Sequence, residues 1–219
     1  MKKEKNLPDD TIELTHVTKR FGQELVLKEV NLTLERGRVY GIVGNNGSGK
    51  TVLMKCICGF LIPTTGVIQV FGSRIGQDVD FPESLGVIIE TPGFLTNLTG
   101  RKNLEILAGM RRKIGPAEVR KVLEQVGLNP ELKKPVANYS LGMLQRLGIA
   151  QAIMEDPELL ILDEPFNGLD RHGVGEIRAL LLELKAEGKT ILLASHNEED
   201  IHILCDEVYE MDGGVLRKC

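Results

Sequence analysis

The sequence predicts an α/β fold built on a mainly parallel sheet, with a small N-terminal antiparallel β subdomain and a helical subdomain inserted in the core. Three observations predict it. Strand-like and helix-like segments alternate near both ends of the chain. A short apolar run at 38–43 ends in glycines and leads directly into a helical pattern. The stretch 103–153 between them has helical periodicity, with no strand signal inside it.

Ile12, Leu14 and Val17 alternate only in part, whereas Val30, Leu32 and Leu34 alternate cleanly. Both read as strands with one buried face, the pattern of an antiparallel pair. The run RVYGIV at 38–43 reads as a strand buried on both faces, followed by a helix over 50–60 and a strand GVIQVF at 66–71. A further buried strand is expected at 85–89. The helical stretch breaks at Gly115-Pro116, at Gly127 and around Tyr139-Ser140, residues that stop or start helices. Alternation then resumes with strand LLIL at 159–162, a helix over about 174–186, strand TILLA at 190–194, a helix from about Glu198 and strand EVYEM at 207–211. A parallel sheet fits strand–helix–strand units of this kind.

Composition narrows the class without naming a chemistry. The chain has 219 residues, a net charge of −4, 42% hydrophobic and 26% charged residues, enough to bury a full core. Its apolar runs fall far short of the ~20 residues that span a bilayer. The charged start MKKEKNLPDDT has no apolar segment behind it, so a signal peptide is not expected and a cytoplasmic location is. Basic residues are interspersed with acidic ones, which argues against nucleic acid as a partner. The cluster Arg111-Arg112-Lys113 is expected to be a solvated helix end. Cys56, Cys58, Cys205 and Cys219 do not match a zinc spacing. They are expected to be small buried hydrophobes plus a loose C-terminal thiol.

The chemistry is carried by Gly44-Asn45-Asn46-Gly47-Ser48-Gly49-Lys50-Thr51, which fits G-x-x-x-x-G-K-[ST] between a buried strand and a helix. Glycines let backbone N–H groups turn inward around phosphates, and the helix N-terminus adds partial positive charge. Lys50 can then reach the β- and γ-phosphates, and the Thr51 hydroxyl can ligate Mg²⁺. A second signal is LLIL followed by Asp163-Glu164. With a phosphate loop present, an acid at the strand end can hold Mg²⁺ through water, and the next can polarise an attacking water.

With these residues in place, the chain resembles the ATP-binding cassette (ABC) family, the nucleotide-binding subunits of ABC transporters, over nearly its whole length. Tyr139-Ser140-Leu141-Gly142-Met143 with Gln145-Arg146 is similar to the family's signature sequence, and Ser140 is a plausible N-cap. The resemblance implies one nucleotide-binding domain over 1–219, with a P-loop ATPase core at about 1–90 and 157–219 and the helical subdomain at about 91–156. It implies further roles as well. Phe21 stacks on adenine, Ser140 and Gly142 face the γ-phosphate bound by another subunit, and Asp170 in Asn167-Gly168-Leu169-Asp170 links the two sites. His196 is the switch histidine on the γ-phosphate, and Glu164 is the catalytic base.

Two departures from the family pattern matter. Leu141 and Met143 replace a glycine and a glutamine of the signature. Glu90 stands where a glutamine is usual, as a Mg²⁺ ligand and link to the membrane subunit. A carboxylate is a hard oxygen ligand that can hold Mg²⁺, but it adds charge near the γ-phosphate and donates no hydrogen bond. Glu90 followed by Thr91-Pro92-Gly93-Phe94 resembles exporters that confer self-immunity to lantibiotics or resistance to bacitracin. The resemblance thus implies ATP and Mg²⁺ as cofactors and a homodimer or heterodimer of cassettes. It also implies a separate membrane permease that inserts a short helix near Glu90 and the helical insertion, with this chain peripheral on the cytoplasmic face. A soluble non-transport ABC ATPase and a non-catalytic nucleotide sensor are the alternatives. The first normally needs a long coiled-coil insertion or tandem cassettes, for which this length leaves no room. Intact Glu164 and His196 speak against the second.

Overall fold

The computed structural model describes residues 10–90 and 93–219; the charged N-terminal run and the 91–92 dipeptide after Glu90 lie outside the described residues. Strands β1 (Asp10–Phe21), β2 (Glu24–Glu35), β4 (Thr65–Val70) and β5 (Ser73–Arg74) form a four-stranded antiparallel sheet in the order β2-β1-β4-β5. The expected separate small sheet is therefore present. The partial alternation of β1 has a physical cause: the register slips between Leu14 and Val17, and His16 adopts φ 49°. The side chain of Asn31 accepts the His16 N–H at 2.9 Å across the bulge.

The second sheet contains β3 (Val39–Val43), β6 (Leu85–Ile88), β7 (Leu159–Asp163), β8 (Thr190–Ala194), β9 (Glu207–Asp212) and β10 (Val215–Lys218), in the order β10-β9-β3-β8-β7-β6. All neighbours pair in parallel except β10, which returns antiparallel to β9. Strand β10 is an element the sequence reading did not place. Gly213-Gly214, both with positive φ, close the hairpin that makes it. Strands β3, β7 and β8 are buried along almost their full length, as sheets covered on both faces require. Their side chains alternate between two cores. Val39, Leu160, Leu162, Ile191 and Leu193 face the core shared with the long helices, while Tyr40, Ile42, Leu159, Ile161 and Leu192 face the first helix and the antiparallel sheet.

Helix α1 (Lys50–Ile57) stops earlier than the expected 50–60. Gly59 sits at φ 85°, and a Cβ there would lie 2.0 Å from the carbonyl oxygen of Asp80, so the chain must turn to let that backbone pass. Between β6 and β7 lie α2 (Gly100–Arg111), α3 (Pro116–Gln125) and α4 (Leu141–Ile153), broken where glycine, proline and a serine cap were expected to break them. Thr99 caps α2 by accepting the Lys102 N–H at 3.2 Å. Helix α2 ends at Arg111, and Arg111, Arg112 and Lys113 are exposed as expected. Helix α5 (Arg171–Ala186) begins earlier than the periodicity suggested. Asp170 caps it, and Gly173 and Gly175 had masked its first turns. Helix α6 (Glu198–Leu204) starts at the Asn197 cap.

All four cysteines are free; Cys56 and Cys58 are buried, Cys205 is partly buried and Cys219 is exposed. Burial pushes the Cys56 thiol up to about 11 and the Cys58 thiol to about 12; burial also raises Cys205 to about 12, helped by the Asp206 charge. The thiolate is the reactive form, so at pH 8 only about one in a thousand or fewer of these three groups is ionised. Titration of the native protein with a thiol reagent at pH 8 should give one fast equivalent, from Cys219. The other three should appear only after unfolding, and a second fast equivalent in the native state would contradict this burial.

Candidate active site

The glycine-rich loop 44–49 joins the C-terminal end of β3 to α1. Its shape admits no side chain at Gly44, where φ is 145° and a Cβ would lie 2.2 Å from the Met211 carbonyl oxygen. Gly49, at φ 114°, turns the chain into the helix. Lys50 opens α1 and is almost fully buried. Its Nζ donates to the carbonyls of Gly44 at 2.6 Å and Asn45 at 3.1 Å, so the ammonium is folded back over the loop. Ser48 Oγ is buried without a partner. A cavity of about 280 Å³ opens here, lined by Asn46, Gly47, Gly49, Lys50, Thr51, Asp163 and Glu164, with Val26 at its edge. A glycine-rich loop at a helix N-terminus with a captive cation suits a phosphate chain, which would exchange with the carbonyls now holding Lys50.

The carboxylates arrive from the sheet. Thr51 Oγ1 donates to Asp163 Oδ2 at 2.7 Å, which brings together two hard oxygen donors across α1 and β7. Such a pair suits Mg²⁺, which commonly takes only one or two protein ligands beside phosphate oxygens. Glu164 follows at φ 51°, left-handed backbone that a non-glycine residue keeps only when its surroundings hold it. Its N–H donates to Ala194 O at 3.0 Å, and its carboxylate Oε2 lies 2.8 Å from His196 Nδ1. The turn that carries His196 is held by its neighbours. The buried Ser195 hydroxyl donates to Asp200 at 3.3 Å and accepts the Asn197 N–H at 3.1 Å, and Arg178 pairs with Asp200 from α5.

The residues of the signature gather on a separate face. Ser140 caps α4, accepting the Met143 N–H at 3.3 Å, and Asp170 caps α5, accepting the Gly173 N–H at 2.8 Å. Gly142 presses on the loop before α5: a Cβ there would lie 2.9 Å from Gly168 O. Leu141, which replaces a glycine of the family pattern, lies over Gly168, where a Cβ would sit 2.3 Å from Leu141 Cγ. Ser140, Gly142, Met143 and Asp170 share a concavity of about 460 Å³ that contains no residue of the phosphate loop. Between the two, Glu90, Leu141, Leu144, Gln145, Asp163 and Glu164 line a third, of about 410 Å³.

The structure therefore brings Lys50, Thr51, Asp163 and Glu164 around one cavity, with His196 against Glu164, and puts Ser140, Gly142 and Asp170 together elsewhere. Phe21 ends β1, is 44% exposed and carries Lys19 Nζ 5.0 Å from its ring centroid; it does not line the phosphate-loop cavity. Glu90, at φ 61°, is not on the phosphate loop either; its carboxylate pairs with Lys55 Nζ at 2.5 Å. Sequence reasoning missed three residues. Lys55 follows Thr51 by one helical turn, a spacing that could have revealed it. Asp200 was hidden in an acidic run, and Gln145 was quoted without a role.

The family profile described as ABC transporter matches residues 27–167. The bacitracin transport ATP-binding protein BcrA of Enterococcus faecalis is 46% identical over 207 residues, covering 94% of this chain and 67% of that protein. The lantibiotic transport ATP-binding protein SrtF of Streptococcus pyogenes is 37% identical, covering 89% and 84%. A solved ATP-binding subunit of an ABC transporter superposes with a TM-score of 0.85 at 29% identity, covering 95% of this chain and 89% of that one. A dimeric bacterial ABC transporter cassette at 23% identity shares the fold, with a TM-score of 0.86. With a phosphate loop, a strand-end acid pair and a capped signature helix on one scaffold, the chain belongs to the ABC transporter family, as an ATP-binding, ATP-hydrolysing subunit.

Proposed function

We propose that this chain powers an exporter of antimicrobial peptides of the bacitracin or lantibiotic kind through a separate membrane permease, working as a dimer of cassettes on the cytoplasmic face. The observation that carries the reading is the division of the site into two halves on one chain. The phosphate loop with Asp163, Glu164 and His196 occupies one face, and Ser140, Gly142 and Asp170 occupy another. Two copies, or this chain and a second cassette, arranged head to tail would complete each half with the other. The core at 1–90 and 157–219 then carries nucleotide, and the helical subdomain at 91–156 carries the signature. Among the described residues no helix is long and apolar enough to cross a membrane. The names of the relatives support the substrate class, and Glu90 supports the same subgroup. A groove of about 230 Å³ between β6, α2 and the end of α4, with Met110 73% exposed at its rim, is where a short permease helix would dock.

In this reading the loop backbone and Lys50 hold the β- and γ-phosphates, while Thr51 and Asp163 hold Mg²⁺, with Glu90 able to add a carboxylate. Phe21 stacks on adenine. Glu164 accepts the proton of the attacking water, and His196, whose Nδ1 lies against Glu164, uses its other ring nitrogen on the γ-phosphate. A Mg²⁺ held there would supply charge neutralisation to the phosphates. Ser140 and Gly142 close the other subunit's site, and Asp170 connects the two. Closure excludes water and reopening moves the permease.

Replacing the general base should cut turnover by about 10²–10⁴-fold while preserving nucleotide binding. Steady-state hydrolysis and ATP-driven dimerisation of Glu164→Gln test this, and unchanged turnover would remove Glu164 from the base role. Lys50→Ala loses a charge-assisted contact and should weaken ATP binding by about 10- to 100-fold. Calorimetry giving an unchanged affinity would take Lys50 out of the site. Glu90→Gln should move the Mg²⁺ concentration for half-maximal hydrolysis, and superimposable Mg²⁺ titrations would exclude a ligand role for Glu90.

A further inference from the structure

Gln145 lies in α4, within the second turn after the Ser140 cap, and its side-chain amide reaches away from the helix toward the end of β7. Its Nε2 donates to the Pro165 carbonyl at 2.9 Å and the Glu164 carbonyl at 3.3 Å. The Glu164 residue is thereby held from both sides. Its N–H is bonded to β8 at Ala194, and its C=O receives both the α4 amide and the Asn167 N–H, the latter at 3.2 Å. This grip falls on the residue whose backbone is left-handed, at φ 51°, and whose carboxylate meets His196. Leu141 and Leu144 of the same helix line one cavity together with Glu164.

We propose that Gln145 is a positioning residue that ties Glu164 to the signature helix of its own chain, so that the carboxylate is aligned only while α4 is seated. The proposal rests on the reading of Glu164 as the general base and adds a regulation to it. The N-terminus of α4 is the end offered to the other subunit's nucleotide, so movement of Ser140 is transmitted through one rigid helix to Gln145 and on to the Glu164 peptide. Closure of one site thereby sets the base of the site on the same chain. Only an amide of this length serves. Glutamate presents an acceptor to two carbonyls, methionine keeps the length without a donor, and asparagine is one methylene short.

The test is a double-mutant cycle on the purified chain with MgATP, reading kcat and KM for the wild type, Gln145→Met, Glu164→Gln and the double variant. Removing the donor should lower kcat about tenfold or more with KM changed less than twofold, because the effect is confined to the base. In the Glu164→Gln background the same substitution should lower the residual rate less than twofold. Gln145→Glu should be at least as slow as Gln145→Met, and ATP-driven dimerisation of the Glu164→Gln protein should survive Gln145→Met. A wild-type kcat for Gln145→Met, or an equal fold-loss in both backgrounds, overturns the proposal while leaving Glu164 as the base. A wild-type turnover for Glu164→Gln alone overturns both. A variant that slows hydrolysis only by unfolding would lower the melting temperature and abolish dimerisation; Gln145→Leu, run in parallel, shows whether that outcome belongs to the lost donor or to methionine packing. Loss of dimerisation in both would overturn the proposal.

Discussion

The register of β7 against β8 is the constraint on which the rest of the site depends. Asp163 pairs with Ala194 at the C-terminal ends of the two strands, and the Glu164 N–H closes on the Ala194 carbonyl. Because side chains alternate along a strand, a slip of one residue would exchange every Leu and Ile between the two cores. The alternation of Leu159 and Ile161 against Leu160 and Leu162 makes that exchange costly. Register is therefore held by burial well away from the chemistry, and the chemistry receives it as a fixed position for two carboxylates. The parallel pairing does the rest. It delivers the ends of β3, β7 and β8, and with them the phosphate loop, the acid pair and Ser195-His196, to the same edge of one sheet.

At that edge the polar groups form two linked chains of contacts. One runs from the phosphate loop through Lys50, Thr51 and Asp163. The other runs from Arg178 through Asp200 to Ser195, the chain neighbour of His196; His196 meets the Glu164 carboxylate, and Gln145 on α4 bonds the Glu164 backbone carbonyl. The second groups residues of three helices, α4, α5 and α6, around Glu164 and the turn beside it, and its buried members, Ser195 and Asp200, are each paired. Buried polar groups tolerated in this way rigidify their surroundings. Glu90 is hydrogen-bonded to neither chain but lines a cavity with Asp163, Glu164 and Gln145, on left-handed backbone with its carboxylate against Lys55. Its negative charge is thus matched locally in the structure, which accounts for how a carboxylate is accommodated where the family usually has an amide.

How much of this was legible depends on how local each signal is. The phosphate loop, the Ser140 cap, and the breaks between α2, α3 and α4 are written in neighbouring residues, so spacing alone located them. The end of α1 was misplaced because its cause is the Asp80 backbone pressing on Gly59. Strand β10 was missed although its Gly213-Gly214 turn was visible, because a short strand gains its pairing only from β9. The start of α5 was hidden because its first turns carry glycines that count against a helix until Asp170 is seen to cap it.

The sequence alone determined which chemistry the chain carries, because a phosphate loop needs glycines, a lysine and a hydroxyl in a fixed order along one loop and the first turn of one helix. It also determined that two cores flank a parallel sheet, through residues that alternate along strands buried on both faces. Only the tertiary structure decided which halves of the site meet. Lys50, Thr51, Asp163 and Glu164 share a cavity, whereas Ser140 and Gly142 are carried to another face. It alone decided that Lys55 neutralises Glu90 and that Gln145 holds Glu164. The physical reason is that these contacts join residues from different elements, and their distances are set by strand order and helix packing, which no spacing along the chain encodes.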